Sequence, residues 1–390
     1  MVTTPDSAVT APGVESLDDG LRIHWDAGQA NFYHYFWLRS ACFCDACGTS
    51  HTGARKLHPG DVPPDIRPIS VGLSAERLDI DWPDGHRSAY DLQWLRDFAC
   101  DDPDRDWQPE LWDAALDLER VAHEHGRVAV DEAAMLDFLR DLRDYGLALV
   151  RSGEPVGIEA MAGLIGAINT AAYDAVYELK PDPGAHVFGN SQQDIPPHTD
   201  EAYLHNPTGI LVLYCIRPAR EGGDSVLVDG FQIASRLREQ HPDSFEALCR
   251  YPQAYHRIVP EAGLDHRSRS PALRLDECGQ LVGFRFHSRA MAPIDLPGDP
   301  ARHLHLANFR LNQLALDEAN QVRFRLQPGE AVFFDNHRVM HARKAFSDPE
   351  RHLQICNVAR EQFHLKLRLA ARACGCYDEL RLKLPAGVCG

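Results

Sequence analysis

Apolar positions follow two different periods along this chain. Between residues 131 and 143, Met135, Phe138, Leu139 and Leu142 fall at i, i+3, i+4 and i+7, the stripe of one helix face. Asp131 is placed to cap that helix and Gly146 to stop it. Residues 158–172 predict a second helix. From Ile195 the pattern becomes short apolar runs separated by turn residues. Runs at 147–150, 210–216, 225–229, 281–286 and 353–358 read as strands. Those at 322–326 and 331–335 read as a hairpin across Gln327-Pro328-Gly329-Glu330. Helices are expected at 231–250, divided at Pro242, and at 303–320 and 360–372. Many short strands with turn signals predict a jelly roll, or double-stranded β-helix, with helices added: an α+β chain that is mainly β. Ahead of it, aromatic runs at 21–25 and 32–38 and a hairpin around Leu78-Asp79-Ile80 predict a small β-rich domain. The expected division is a disordered lead over 1–19, an N-terminal domain over 20–110, a linker over 111–130 and a barrel domain over 131–390.

Composition narrows the function without naming it. The 390 residues carry 40 basic and 57 acidic side chains, a net charge of −17. Such a surface argues against nucleic acid and against an anionic membrane as partners. No apolar run is long enough to span a bilayer, and Met1 to Asp19 lacks a basic-then-apolar leader pattern, so a cytoplasmic protein is expected. Eleven cysteines then read as thiols or metal ligands rather than disulfides.

Three of those cysteines, Cys42, Cys44 and Cys47, stand within six residues. Structural zinc takes four ligands in a closed tetrahedron, and three thiolates with one imidazole are a common set. His51, His58 and His86 are the nearby fourth ligands. A chance cluster of reduced thiols is the plain alternative. A second constellation is Pro196-Pro197-His198-Thr199-Asp200. In an extended segment, His198 and Asp200 project from one face. With one more histidine they would form the facial group that holds Fe(II) and leaves positions open. A barrel brings distant strands together, so His341, or His337 in competition with it, could supply that histidine. Arg351 opens the last strand, where a guanidinium could bind a carboxylate through two hydrogen bonds.

In order, these motifs resemble the gamma-butyrobetaine hydroxylase-like branch of the Fe(II)/2-oxoglutarate dioxygenases, related to the taurine dioxygenase group. Trp37-Leu38-Arg39, the cysteine cluster, Ala54-Arg55-Lys56-Leu57 and Trp82-Pro83-Asp84-Gly85-His86 are similar to its zinc-binding N-terminal domain. Gly222-Gly223-Asp224-Ser225, Val228-Asp229-Gly230 and Asp335-Asn336-x-Arg338-x-x-His341 are similar to its catalytic signatures. The resemblance implies iron on His198, Asp200 and His341, structural zinc on Cys42, Cys44, Cys47 and His86, and 2-oxoglutarate on Arg351 with help from Ser225. It further implies a small-molecule substrate, O2 as co-reactant and a homodimer. Family members that read trimethylammonium use a cage of aromatic rings, a cation–π device. Here residues 184–193 hold no tyrosine, and the last-strand cage position is Asn357. Hydroxylation of a more polar metabolite than γ-butyrobetaine is therefore expected, with Asn190, Tyr177 and Asn357 as substrate contacts. Desaturation, cyclisation or demethylation at the same centre, γ-butyrobetaine hydroxylation itself, and an interaction protein with an inactive barrel are the rivals.

Overall fold

The computed structural model describes residues 12–26, 28–48, 54–99, 107–170, 174–182, 184, 188–276 and 278–376. The chain divides into two compact units, one ending at Trp107 and the other beginning at Gln108.

The first unit is β-rich. Strands β1 (Gly13–Ser16), β2 (Gly20–Asp26) and β3 (Gln29–His34) form one antiparallel sheet, and β4 (Ser70–Leu73), β5 (Arg77–Asp81) and β6 (Arg87–Asp91) a second. Alternation decides which side chains enter the core: Leu21, Ile23 and Trp25 from β2, and Leu78 and Ile80 from β5, are all buried. Helix α1 (Tyr35–Ser40) follows β3, and α2 (Leu92–Asp97) follows β6. Two expectations are corrected here. The run 32–38 is strand only to His34, because Tyr35, Leu38 and Arg39 then bury one helical face. The expected lead contains β1, paired with β2, and its residues 1–11 lie outside the described residues.

The second unit opens with β7 (Ala122–Glu124), α3 (His125–Val128), α4 (Glu132–Asp144) and β8 (Leu147–Arg151). The stretch 111–130, expected as a linker, is therefore built into this unit: β7 pairs in parallel with β8, and Trp112 is buried. Helix α5 (Ile158–Gly163) is shorter than expected, because the chain turns at Gly163 into β9 (Ile168–Asn169), which joins a sheet edge. There follow β10 (Val176–Leu179), β11 (Ile195–His198), β12 (Ile210–Arg217), β13 (Ser225–Asp229), α6 (Gly230–Gln240) and α7 (Pro242–Arg250). A hairpin, β14 (Gln253–Val259) with β15 (Leu264–Ser270), precedes β16 (Leu273–Leu275) and β17 (Leu281–Phe284). The chain ends with α8 (Asp299–Leu316), β18 (Val322–Phe324), β19 (Ala331–Asp335), β20 (Val339–Arg343), β21 (His352–Val358) and α9 (Arg360–Ala373).

Two sheets form the body of this unit. The larger runs β10-β21-β12-β19-β8-β7 with β9 on β21, and the smaller runs β11-β20-β13-β18. Between them lie Leu147, Leu149, Leu211, Leu213, Leu227, Val332, Phe334, Val339 and Leu353. The intervening residues face outward: Ile210, Val212, Ala331 and Phe333 pack under α4, α5 and α9, while Val226, Val228, Met340 and Ala342 pack under α6, α7 and α8. Strands covered on both faces are continuous apolar runs for this reason. The arrangement is the expected jelly roll, with one correction. Residues 322–326 and 331–335 are not a hairpin: β18 pairs with β13 in the smaller sheet, and β19 with β12 and β8 in the larger. The turn at 327–330 carries the chain from one sheet to the other.

Candidate active site

The same alternation aims the polar side chains of the inner face. On β20, Val339 points between the sheets, so His341 and Arg343 share its side. On β13, Ser225 shares the side of Leu227, and on β21, Asn357 shares that of Leu353. Strand β11 pairs with β20 so that His198 stands opposite His341. These groups line one cavity of about 510 Å³, together with Asp200, Arg351 and Tyr177.

In this cavity, ligand atoms of His198, Asp200 and His341 all lie within 4.8 Å of one another. Asp200 Oδ1 is 3.4 Å from His198 Nε2, and Oδ2 is 3.7 Å from His341 Nε2. His198 Nδ1 donates to the Pro196 carbonyl at 2.9 Å, which turns the Nε2 lone pair toward the centre. Burial would push the Asp200 carboxyl up, but the imidazoles of His341 and His198 outweigh it and hold the group well below the usual carboxylate range. Burial drives His341 down to about 4, so its ring is neutral and able to ligate at neutral pH. Asn336 clamps the loop that carries Asp200. Its Oδ1 accepts from the Asp200 amide at 2.7 Å, while its Nδ2 donates to the carbonyls of Asp200 and Thr208 at 3.0 Å. The next residue, Glu201, adopts φ 53°, a left-handed conformation uncommon outside glycine and found at functional sites. His337 does not join the group; its Nε2 faces the Pro207 carbonyl at 3.3 Å.

Arg351 is 3% exposed, and burial pushes its guanidinium down to about 10. Among the described residues no carboxylate pairs with it, and its buried Nε has no hydrogen-bond partner. Its Cζ lies 4.9 Å from the centroid of the Phe346 ring. Gly223, at φ 67°, makes room for it: a Cβ there would stand 3.1 Å from Arg351 Nε. The neighbouring Arg343 instead donates from both terminal nitrogens to the carbonyls of Gly189, Ser191 and Gln193, although its buried Nε, like that of Arg351, has no partner among the described residues.

The expected substrate contacts divide. Tyr177 and Asn357 line the cavity, and Asn357 Oδ1 is buried without a hydrogen-bond partner among the described residues. Asn190 is a correction: it does not line the cavity but braces the wall behind it. It accepts from the Tyr177 hydroxyl at 2.6 Å and donates to the carbonyls of Glu178 and Lys180, each at 2.8 Å. Sequence reasoning did not single out Tyr203, Arg289, His256 or His287, which line the cavity together with Phe188. The alternating run of β14 was the available signal for His256. The others sit on turns, where no period marks the inward face.

In the first unit, His86 Nε2 lies 3.3, 3.6 and 3.5 Å from Sγ of Cys42, Cys44 and Cys47. A tetrahedron with metal bonds of about 2.0–2.3 Å has edges of about 3.3–3.8 Å, so these separations suit one zinc ion. Arg39 steadies the loop, pairing with Asp84 at 2.8 Å and reaching Cys47 Sγ at 3.6 Å. His58 stands apart from this cluster, and His51 lies outside the described residues.

Two histidines and one carboxylate, gathered inside a jelly roll with positions left open, are the donor set of the non-haem Fe(II) oxygenases. Comparison with known proteins agrees. Residues 122–357 match the taurine catabolism dioxygenase TauD, TfdA family, and the chain belongs to it; it is a dioxygenase. Residues 14–96 match the domain described as gamma-butyrobetaine hydroxylase-like, N-terminal. The chain is 30% identical to a gamma-butyrobetaine dioxygenase of Pseudomonas sp. (strain AK-1), over 92% of this chain and 95% of that one. It is 28% identical to the mitochondrial trimethyllysine dioxygenase of Gallus gallus, over 90% and 87% of the two chains. Among solved structures, an asparagine oxygenase shares 18% identity over 62% of this chain and 94% of its own, with a TM-score of 0.47.

Proposed function

We propose that this dioxygenase depends on Fe(II) and 2-oxoglutarate and hydroxylates an unactivated C–H bond of a small polar metabolite. The observation that carries the reading is Arg351, a buried guanidinium with no carboxylate partner among the described residues, in the cavity where His198, Asp200 and His341 converge. A cation in that setting is costly unless a ligand anion completes it. The distal carboxylate of 2-oxoglutarate fits, with Ser225 on the same inner face as a further donor.

In this reading His198, Asp200 and His341 hold the iron. The bound metal and cosubstrate supply the oxidation: O2 gives one atom to the substrate and one to succinate, with loss of CO2. The chain contributes orientation and shielding. Asn336 and the Pro196 carbonyl fix the directions of Asp200 and His198. Leu211, Leu213 and Ile355 line the cavity with hydrocarbon and keep water from the oxidant. Cys42, Cys44, Cys47 and His86 hold structural zinc, a closed set with no position for chemistry. A cytoplasmic homodimer belongs to the same reading, and light scattering on the purified protein tests the dimer.

The test is succinate release with Fe(II), 2-oxoglutarate and a panel of polar metabolites, the product mass separating hydroxylation from desaturation or demethylation. Turnover of one such metabolite, faster than of γ-butyrobetaine, is the expected result. Efficient turnover of γ-butyrobetaine would refute the substrate assignment. A protein that takes up zinc but never forms succinate would favour the inactive-barrel reading.

A further inference from the structure

One cation of the cavity has no role in the chemistry so far. Arg289, in the short helical turn Ser288–Ala290, lines the same cavity as the two histidines and Asp200. Among the described residues its guanidinium donates no hydrogen bond and stands within ion-pair distance of no carboxylate. Its close neighbour is Phe188, with the ring centroid 4.5 Å from Arg289 Cζ. Burial pulls its pKa down, and the Asp200 carboxylate pulls the other way, so the group lies within electrostatic reach of the metal site. Arg289 is an exposed residue, so its guanidinium is open, without an ion-pair partner among the described residues, to an anion that enters the cavity.

The aromatic walls argue in the same direction. A quaternary ammonium needs open ring faces. The protein's own cation already lies over Phe188. The Tyr177 hydroxyl is tied to Asn190, and the inner face of β21 offers Asn357 rather than a ring. Tyr203 lines the cavity, but one of its neighbours is the His266 ring, stacked with the centroids 6.0 Å apart. Taken as a sphere, 510 Å³ is about 10 Å across, enough for 2-oxoglutarate and a substrate of a few carbons.

We propose that Arg289 binds an anionic group of the primary substrate, a carboxylate, phosphonate or sulfonate, and so selects acidic metabolites. The proposal rests on the Fe(II)/2-oxoglutarate reading, which assigns Arg351 to the cosubstrate; of the other cavity arginines, Arg343 is held by backbone carbonyls and Arg257 is already engaged, which leaves Arg289 for the substrate. It makes Arg289 a specificity residue that acts in binding, not in the oxidation.

The test is an anaerobic titration of the protein loaded with Fe(II) and 2-oxoglutarate, following the visible absorption band of that complex. The probes are 4-aminobutyrate, 3-aminopropylphosphonate and 3-aminopropanesulfonate, set against 4-aminobutanamide and choline, which lack the acid. At least one acid should perturb the band with an affinity about tenfold or more above those of the amide and choline. Arg289→Gln should remove that preference and Arg289→Lys should keep part of it, with circular dichroism checking the fold of each. Equal binding of acid and amide by the wild type, tighter binding of choline, no response to any acid, or wild-type affinity in a folded R289Q would each overturn the proposal. Failure of the wild type to form the visible band at all would instead remove the metal and cosubstrate reading, and this proposal with it.

Discussion

Replacing Arg351 by methionine should uncouple cosubstrate binding from stability in opposite directions. In the ligand-free protein the guanidinium is 3% exposed, and burial lowers its pKa from 12.5 to about 10. That drop corresponds to roughly 3 kcal/mol of unfavourable burial, an upper bound on what its removal returns. The folded value lies below the unfolded one, so the penalty is full below pH about 10 and fades as the pH rises toward 12.5. Methionine fills most of the volume without the charge, so ligand-free R351M should melt no lower than the wild type, and above it if the packing holds. Cosubstrate binding should move the other way. Hydrogen bonds from a charged donor contribute about 1.5–3 kcal/mol each, so losing a two-pronged contact should weaken 2-oxoglutarate binding by roughly 100-fold or more. The assay is a thermal shift of Mn(II)-loaded protein, with and without 2-oxoglutarate. At 100 times the dissociation constant the wild type should gain about 2.7 kcal/mol, and R351M almost nothing at the same concentration. Succinate release should show the loss as a raised KM for 2-oxoglutarate, with R351K intermediate. A folded R351M that binds 2-oxoglutarate like the wild type would refute the reasoning. So would a large loss of stability in the ligand-free variant, which would make Arg351 a structural residue.

Other substitutions separate the metal sites from the frame. His341→Ala should abolish iron binding and lower succinate formation by more than about 100-fold with the fold intact, whereas Asn336→Ala, which only loosens the Asp200 loop, should weaken iron by about 10–100-fold; metal analysis and iron titration distinguish them. Cys47→Ser, or a strong chelator, should release zinc and unfold the first unit, since structural zinc contributes about 10 kcal/mol or more; metal analysis and limited proteolysis read both effects, and a zinc-free protein with wild-type protease resistance would count against the site. Arg338→Met should destabilise by about 3–5 kcal/mol in urea unfolding, because it strands the fully buried Asp229 carboxylate now paired at 2.9 Å and breaks the bonds to the Glu110 and Asp144 carbonyls.

Much of this molecule is legible because its chemistry rides on strands. The run Ile210–Cys215 is apolar without a break, and it is buried on both faces. His198 and Asp200 share the spacing that puts two side chains on one face, whereas the residues alone left His341 and His337 in competition and the family resemblance chose His341. Local sequence carries no comparable rule where tertiary partners choose. The pairing of Val322–Phe324 and Ala331–Asp335 with different sheets depends on strands about a hundred residues or more away in β12 and β13. Tyr35 leaves an aromatic strand pattern for a helix because the core takes Leu38 and Arg39 on the same side. The β14–β15 hairpin is rich in His, Arg and Asp and reads as a solvated surface, yet His256 and Arg257 reach the cavity.

That contrast bears on how function is divided within the site. The groups assigned to metal and cosubstrate lie on or beside β11, β20, β13 and β21, whose directions are set by packing on both sides of the sheets. A side chain held that way keeps its aim when the surface changes, which suits chemistry that demands fixed donor geometry. Phe188, Tyr203 and Arg289 come from turns, and His256 and Arg257 from the hairpin. Backbone there is less constrained by the core, so a single substitution can change what the cavity accepts without disturbing the three donor groups. Asn190 shows the price of reading such a segment by position alone: it stands where a contact was expected, but the turn directs its amide into the wall, where it holds Tyr177. Substrate choice should therefore respond to changes at Arg289 and on β14 more sharply than the oxidation does, and the contrast between R289Q and R351M is the pair of measurements that decides whether this separation holds.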